Sequence, residues 1–339
     1  METNTAAKPK FELKLGMATR EAFGKALVEL GRENRDIVAL DADLSKSTYT
    51  HFFAKEFPER FVECGIAEAN MIAIGAGLAS SGKIPFASSF SCFAINKGFE
   101  QLRVAVAYPN VNLKVVGTHS GISIGEDGPS QMSIEDIGLA CSLPGFVVLS
   151  PADEVAMRAL VFAAARHQGP VFLRAGRPKA PIIYPANREF EIGGSIQLTD
   201  GSDLTIVAHG LLVAEVIRAQ EALEEESIQA RVIDMYSIKP LDRAAVERAA
   251  RETGGIVVAE EHLAATGLGV RVAQVAAEEF PCPMEFVGIQ DTYAESGTPE
   301  QLMQKYGLTA SNIVAAAKRL LGRKRALGSF GLKPDENRS

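Results

Sequence analysis

Apolar runs rich in Val and Ile alternate along the chain with longer segments in which apolar residues return every three or four positions. The first pattern is that of strands buried on both faces and the second that of helices covering them, so the chain reads as α/β with mostly parallel sheets. The alternation occurs in two blocks. In the first, "IVALDA", "RFVECG", "IPFASS", "NLKVVGTH", "GFVVLSP" and "PVFLRAG" are the predicted strands, with "ATREAFGKALVELGREN" and "ADEVAMRALVFAAARHQ" among the helices. In the second, the strands are "LTIVAHG", "QARVIDM", "GIVVAEE" and "EFVGI", and helices are expected at about 211–226, 242–253, 267–280 and 309–321.

Between the blocks, from Arg177 to about Asp203, the helical period is lost and Pro and Gly accumulate, which predicts a linker with a short extended pairing. The expected organisation is a flexible N-terminus at 1–11, a first α/β domain at 12–180, a linker at 181–201, a second α/β domain at 202–322 and a solvated, disordered tail at 323–339.

Composition narrows the partners. Across 339 residues, 47% are hydrophobic and 23% charged, enough apolar material for two packed domains. The net charge of −7, with Lys and Arg dispersed, leaves no footprint for nucleic acid and favours a small-molecule or protein partner. The first residues hold no apolar core of signal-peptide length, and no window approaches a membrane span, so a cytoplasmic location without membrane attachment is expected. Cys64, Cys92, Cys141 and Cys282 are far apart and form no CxxC pair, so they read as buried small hydrophobes.

One polar residue interrupts the apolar pattern. Glu68 leads "EANMIAIGAGLAS", a run whose helix is expected to be buried on nearly all sides. An acidic residue in a first turn commonly serves the helix dipole. A buried carboxylate, however, is costly to ionise, so a functional Glu68 would hold or donate a proton at neutral pH.

A second candidate is "THSGISIGEDGPSQMSIEDI", residues 118–137, which follows a predicted strand and carries Gly121, Gly125 and Gly128. Loops of this kind are where open α/β sheets place ligands, although its glycines fit neither a GxGxxG nor a Walker spacing and a plain turn stays open. Arg20, at a helix start, and Arg174, at a strand end, suit a bidentate phosphate clamp or an ordinary surface role. His119 alone reads as structural more readily than catalytic. The other histidines show no spacing for a metal.

Taken together, "GIAEANM", "FASSFSCFAINKGFEQLR" and "THSGISIGEDGPSQMSIEDIGL" closely resemble the pyrimidine-binding half of transketolase, a thiamine-diphosphate enzyme. "FLRAGRP", "IKPLDR" and "VAEEHLAATGLG" resemble its carboxy-terminal domain, so the likeness runs from about Met17 to Leu321. The resemblance implies that Glu68 hydrogen-bonds a ring nitrogen of the cofactor's aminopyrimidine, stabilising the imino tautomer that removes the thiazolium proton. It implies that Phe90 and Phe93 pack on the pyrimidine ring. It implies further that Arg20, Ser47, His119 and Arg174 hold a sugar phosphate, that Asp127 reads a sugar hydroxyl, and that Gln131 stands with His119 near the reacting carbonyl.

A complete transketolase also has an amino-terminal domain in which GDG and a downstream pair of Asn hold a divalent cation and the diphosphate. This sequence contains neither string. The resemblance therefore implies the B subunit of a split transketolase, sharing thiamine diphosphate and Mg²⁺ with a separate A subunit in an A2B2 assembly. The implied reaction moves a two-carbon ketol unit from a ketose phosphate to an aldose phosphate. Two alternatives stay open: the β subunit of the first component of a 2-oxoacid dehydrogenase, and a non-catalytic scaffold of the same fold.

Overall fold

The computed structural model describes residues 11–329. The stretch expected to be flexible falls outside them at residues 1–10, as do residues 330–339 of the expected tail.

The strands of the first block are β1 (Leu15–Ala18), β2 (Ile37–Asp41), β3 (Phe61–Glu63), β4 (Ile84–Phe90), β5 (Lys114–Thr118), β6 (Val147–Leu149), β7 (Val171–Arg174) and β8 (Lys179–Pro181). Those that follow are β9 (Ile196–Thr199), β10 (Leu204–Ala208), β11 (Ala230–Asp234), β12 (Ser237–Lys239), β13 (Ile256–Leu263) and β14 (Met284–Ile289). Seven of them form one sheet in the order β12-β6-β7-β5-β4-β2-β3, and five form a second in the order β14-β13-β10-β11-β9. Within the first sheet only β12 runs antiparallel, and within the second only β9. The strands β2, β5, β10 and β11 are buried at every residue, as Val/Ile-rich runs must be when helices cover both faces.

Helix starts follow capping chemistry. Asp153 accepts from the Ala156 N–H at the head of Glu154–Arg166, and Asp242 accepts from the Ala245 N–H at the head of Arg243–Thr253. The latter helix stops at Gly254, whose φ of 62° a residue with a Cβ would adopt at a cost.

Four features differ from the sequence reading. First, β12 comes from the second block yet completes the first sheet, pairing Ser237 with Leu149. Second, the stretch between the blocks is packed: β8 pairs with β1 and β9 with β11, while Tyr184, Phe190 and Tyr236 meet edge-on at 5.0 Å. Third, the last helix runs Ala310–Ser329, into the stretch read as tail. A helical Gly322 costs only about 1 kcal/mol, and Arg323 and Lys324 find carbonyls of Met284, Asp203 and Thr253 within 2.7 Å.

The fourth difference concerns the helix Glu68–Ser80. Its Met71, Ile72, Gly75 and Ala76 are buried, but Asn70, Ala73, Gly77 and Ser80 are exposed. Small residues spaced three and four apart line one face, and within this chain only the opposite face meets the sheet. No helix among the described residues is long and apolar enough to cross a membrane.

Candidate active site

The carboxyl ends of β2, β4, β5 and β7 carry Asp41, Phe90, Thr118 and Arg174, the sheet edge at which open α/β folds bind ligands. Glu68, the first residue of its helix, is only 4% exposed. Its Oε1 accepts from Lys97 Nζ at 3.0 Å, and the same ammonium lies 4.3 Å over the ring of Phe93. A π-helical turn, Phe93–Lys97, carries both residues just after β4, an irregularity that recurs at functional sites. Phe90 stacks on Phe93 with centroids 5.7 Å apart and planes 12° apart. A carboxylate thus meets a flat aromatic surface in a shielded place, which suits a polar heterocycle.

His119 follows β5 and takes φ 57°, a left-handed conformation rare for a side chain of this size. Its ring stacks on Phe90 at 3.8 Å, and Nδ1 shares a hydrogen bond with Thr118 Oγ1 at 2.9 Å. Burial, reinforced by the cations of Arg20 and Arg177, pushes the imidazole down to about 2, so it is neutral across the physiological range.

Arg20 Nη1 donates to the Ser47 carbonyl at 2.6 Å, and its Nε donates to the Arg177 carbonyl at 3.3 Å. The structure therefore brings Arg20 and Ser47 together, Ser47 through its backbone. Arg177, half-buried, donates to the Ile124 carbonyl and pairs with Glu126 at 3.1 Å. Two guanidinium groups and a neutral imidazole converge here, an arrangement able to hold an anion and hydroxyls beside it.

Arg174 is the correction. It is 5% exposed and spent inside the protein, with Nε on Asp136 at 2.8 Å and Nη2 on the carbonyls of Ser133 and Glu261. Burial works to raise the Asp136 carboxyl, but the Arg174 guanidinium offsets it and the group is held below its ordinary value. An arginine committed to a buried carboxylate is not available to a phosphate, and Arg177, three residues on, stands where Arg174 was expected.

The remaining candidates lie on the glycine-bearing loop. Gln131 is half-buried, its Oε1 accepting from Ser130 at 2.5 Å, and Asp127 is exposed. Among the cysteines, Cys92 touches the loop, its thiol donating to the Gln131 carbonyl at 3.1 Å. Burial pushes Cys92 up to about 12 and Cys64, Cys141 and Cys282 up to about 11. Cys92 is buried and the other three half-buried. Among the described residues no group of three or more His, Cys, Asp or Glu is placed to hold a metal ion.

Sequence reasoning alone does not single out Lys97 or Arg177. For Lys97 no signal exists, since its role depends on the π-helical turn. For Arg177 a signal is present in "RAGRP": the first arginine belongs to a strand buried on both faces, and only the second lies beyond the strand end.

Comparison with known proteins identifies both domains. Residues 16–182 match the family model for the transketolase pyrimidine binding domain, and residues 193–313 match that for the transketolase C-terminal domain. A protein of Methanocaldococcus jannaschii named for a transketolase C-terminal section is 43% identical over 89% of this chain and 95% of its own length. A 6-deoxy-6-sulfo-D-fructose transketolase subunit of Clostridium sp. is 39% identical over 93% of this chain and 98% of its own. A solved structure described as a split-gene transketolase, an inactive β4 tetramer, is 50% identical, with a TM-score of 0.86 over 91% of this chain and 99% of that one. The chain belongs to the transketolase family, of which it carries the pyrimidine-binding and C-terminal domains.

Proposed function

We propose that the chain is the B subunit of a split transketolase, which transfers a two-carbon ketol unit reversibly from a ketose phosphate to an aldose phosphate. The observation that carries this reading is the meeting, at one sheet edge, of the shielded Glu68 carboxylate, the stacked Phe90 and Phe93, the neutral His119 and the Arg20–Arg177 pair.

The family depends on thiamine diphosphate, and the residues present fit its pyrimidine end: a buried carboxylate for a ring nitrogen, and an aromatic surface for a flat ring. When bound, the cofactor supplies the thiazolium carbon that breaks and forms the carbon–carbon bond. Glu68 would hydrogen-bond a ring nitrogen of the pyrimidine. Phe90 and Phe93 would keep water from that ring. His119, uncharged, would hydrogen-bond the donor's hydroxyls and carbonyl together with Gln131, and Asp127 would read a further hydroxyl. Arg20, which the Ser47 carbonyl holds in place, and Arg177 would neutralise the distal phosphate.

A diphosphate and its Mg²⁺ would need oxygen ligands from a second subunit, the A chain, in an A2B2 assembly. A homotetramer described as inactive, in a relative of half-identical sequence, fits a chain that requires a different partner.

The test is a ketol-transfer assay on the purified chain with and without its co-purifying partner. Xylulose 5-phosphate serves as donor and ribose 5-phosphate as acceptor, with thiamine diphosphate and Mg²⁺. Turnover in the pair alone supports the proposal; turnover by the isolated chain sinks the split arrangement, and pyruvate-dependent turnover sinks the reaction. Because a guanidinium pair can also hold a sulfonate, a singly charged anion, and the Clostridium relative is named for a sulfonated sugar, 6-deoxy-6-sulfo-D-fructose is the second donor to try.

A further inference from the structure

The second domain meets the substrate loop at several points, and one of them is a buried carboxylate. Glu261, near the end of β13, is 3% exposed, and one of its oxygens, Oε1, accepts from the Ser123 N–H at 2.6 Å. The loop rests directly on this group: Gly121 has φ 79°, and a Cβ there would stand 2.2 Å from the Glu261 carboxylate. Two more bonds from β13 hold the far side of the loop. Leu263 N–H donates to the Ile134 carbonyl at 2.9 Å, and Ile137 N–H donates to His262 Nε2 at 3.2 Å.

The residue after Ser123 completes the link, because the Ile124 carbonyl accepts from the Arg177 guanidinium. Ser123 and Ile124 therefore stand between a carboxylate of one domain and an anion-facing cation of the other. His119 opens the same loop in a left-handed conformation, which persists only where the surroundings over-determine it. Sequence reading lists "VAEEHLAATGLG" as a family likeness without a chemical task for its acids, and the geometry supplies one.

We propose that Glu261 is a positioning residue, setting Arg177 and His119 for the anionic end of the substrate through Ser123 and Ile124. This gives the C-terminal domain a part in substrate binding, and it rests on the function proposed above. Glu261 itself sits behind the loop and touches no substrate.

Amide hydrogen exchange of residues 119–133 in the full chain, measured with and without inorganic phosphate, tests it. Glu261→Ala is expected to speed exchange of this segment about tenfold or more, whereas Glu261→Gln, whose amide oxygen still accepts from Ser123, stays near wild type. Should the alanine variant fail to fold, Glu261→Asp, one methylene short, is expected to move in the same direction. Equal exchange among the folded variants overturns the proposal. The phosphate concentration for half-protection should rise about tenfold in Glu261→Ala and return in Glu261→Gln. Wild-type protection with an unaltered variant overturns the positioning role alone; no protection of the wild type overturns the anion site and this role with it. In the assembled enzyme the variant should raise KM for the phosphorylated donor more than it lowers kcat, and the opposite split overturns the proposal.

Discussion

The imidazole of His119 lies 3.8 Å from the ring of Phe90 and is held there by a backbone at φ 57°. Burial depresses this imidazole from 6.5 to about 2, so between those values the unfolded chain binds a proton that the folded chain refuses. Its contribution to stability is complete above the unfolded value and is lost as pH falls toward the folded one. The slope for one such group is about 1.4 kcal/mol per pH unit. Melting temperatures between pH 4.5 and 7.5 should therefore fall more steeply in wild type than in His119→Asn, which keeps a side chain tolerant of the left-handed region. Parallel curves would remove His119 from the acid response.

Glu68→Gln keeps the shape and removes the carboxylate. Turnover in the assembled enzyme should drop roughly a hundredfold or more, while the melting temperature stays close to wild type. The paired Lys97 is 48% exposed, so breaking its contact costs little stability, about 1 kcal/mol or less. Undiminished turnover would take Glu68 out of the chemistry.

Arg177 and Arg174 should separate cleanly. Arg177→Ala is expected to raise KM for the phosphorylated donor about tenfold or more, with a small change in stability. Arg174→Ala leaves Asp136 buried without its cation, a loss of about 3–5 kcal/mol, visible in chemical denaturation. If instead Arg174→Ala folds normally and only weakens donor binding, the phosphate clamp is the one the sequence suggests.

A carboxyl in the second sheet should show the reverse pH response. Burial pushes Asp234 up to about 8, and Tyr184 donates to its Oδ2 at 2.5 Å. A raised carboxyl contributes stability fully below its unfolded value of 3.8, and that contribution is lost as pH rises through 8. Thermal melts at pH 5 and pH 9 should differ less in Asp234→Asn than in wild type. An unchanged difference would mean that another group carries the alkaline loss.

The long strands are legible in the sequence because double-sided burial demands unbroken Val/Ile runs, and "IVALD" and "ARVID" satisfy that demand locally. The three-residue β12, "SIK", carries no such pattern; its place depends on the open edge of β6, which only the folded sheet provides. The same limit applies at the site. Glu68 is legible as a charge among small apolar residues, and Phe90 and Phe93 by their spacing within a family motif. Arg174 is misread because its partner, Asp136, is 38 positions away, and no local pattern reveals a buried ion pair. Lys97 escapes for a related reason: one extra residue per helical turn decides where its ammonium points.

The placing of β12 ties the two blocks together. Severing the two blocks at the stretch between them would leave β6 as a bare rim, ready to recruit a strand from another molecule. A coding boundary that spared the first block would have to fall beyond Lys239, well inside the second. The first sheet therefore keeps that rim covered only where both blocks are joined in one chain.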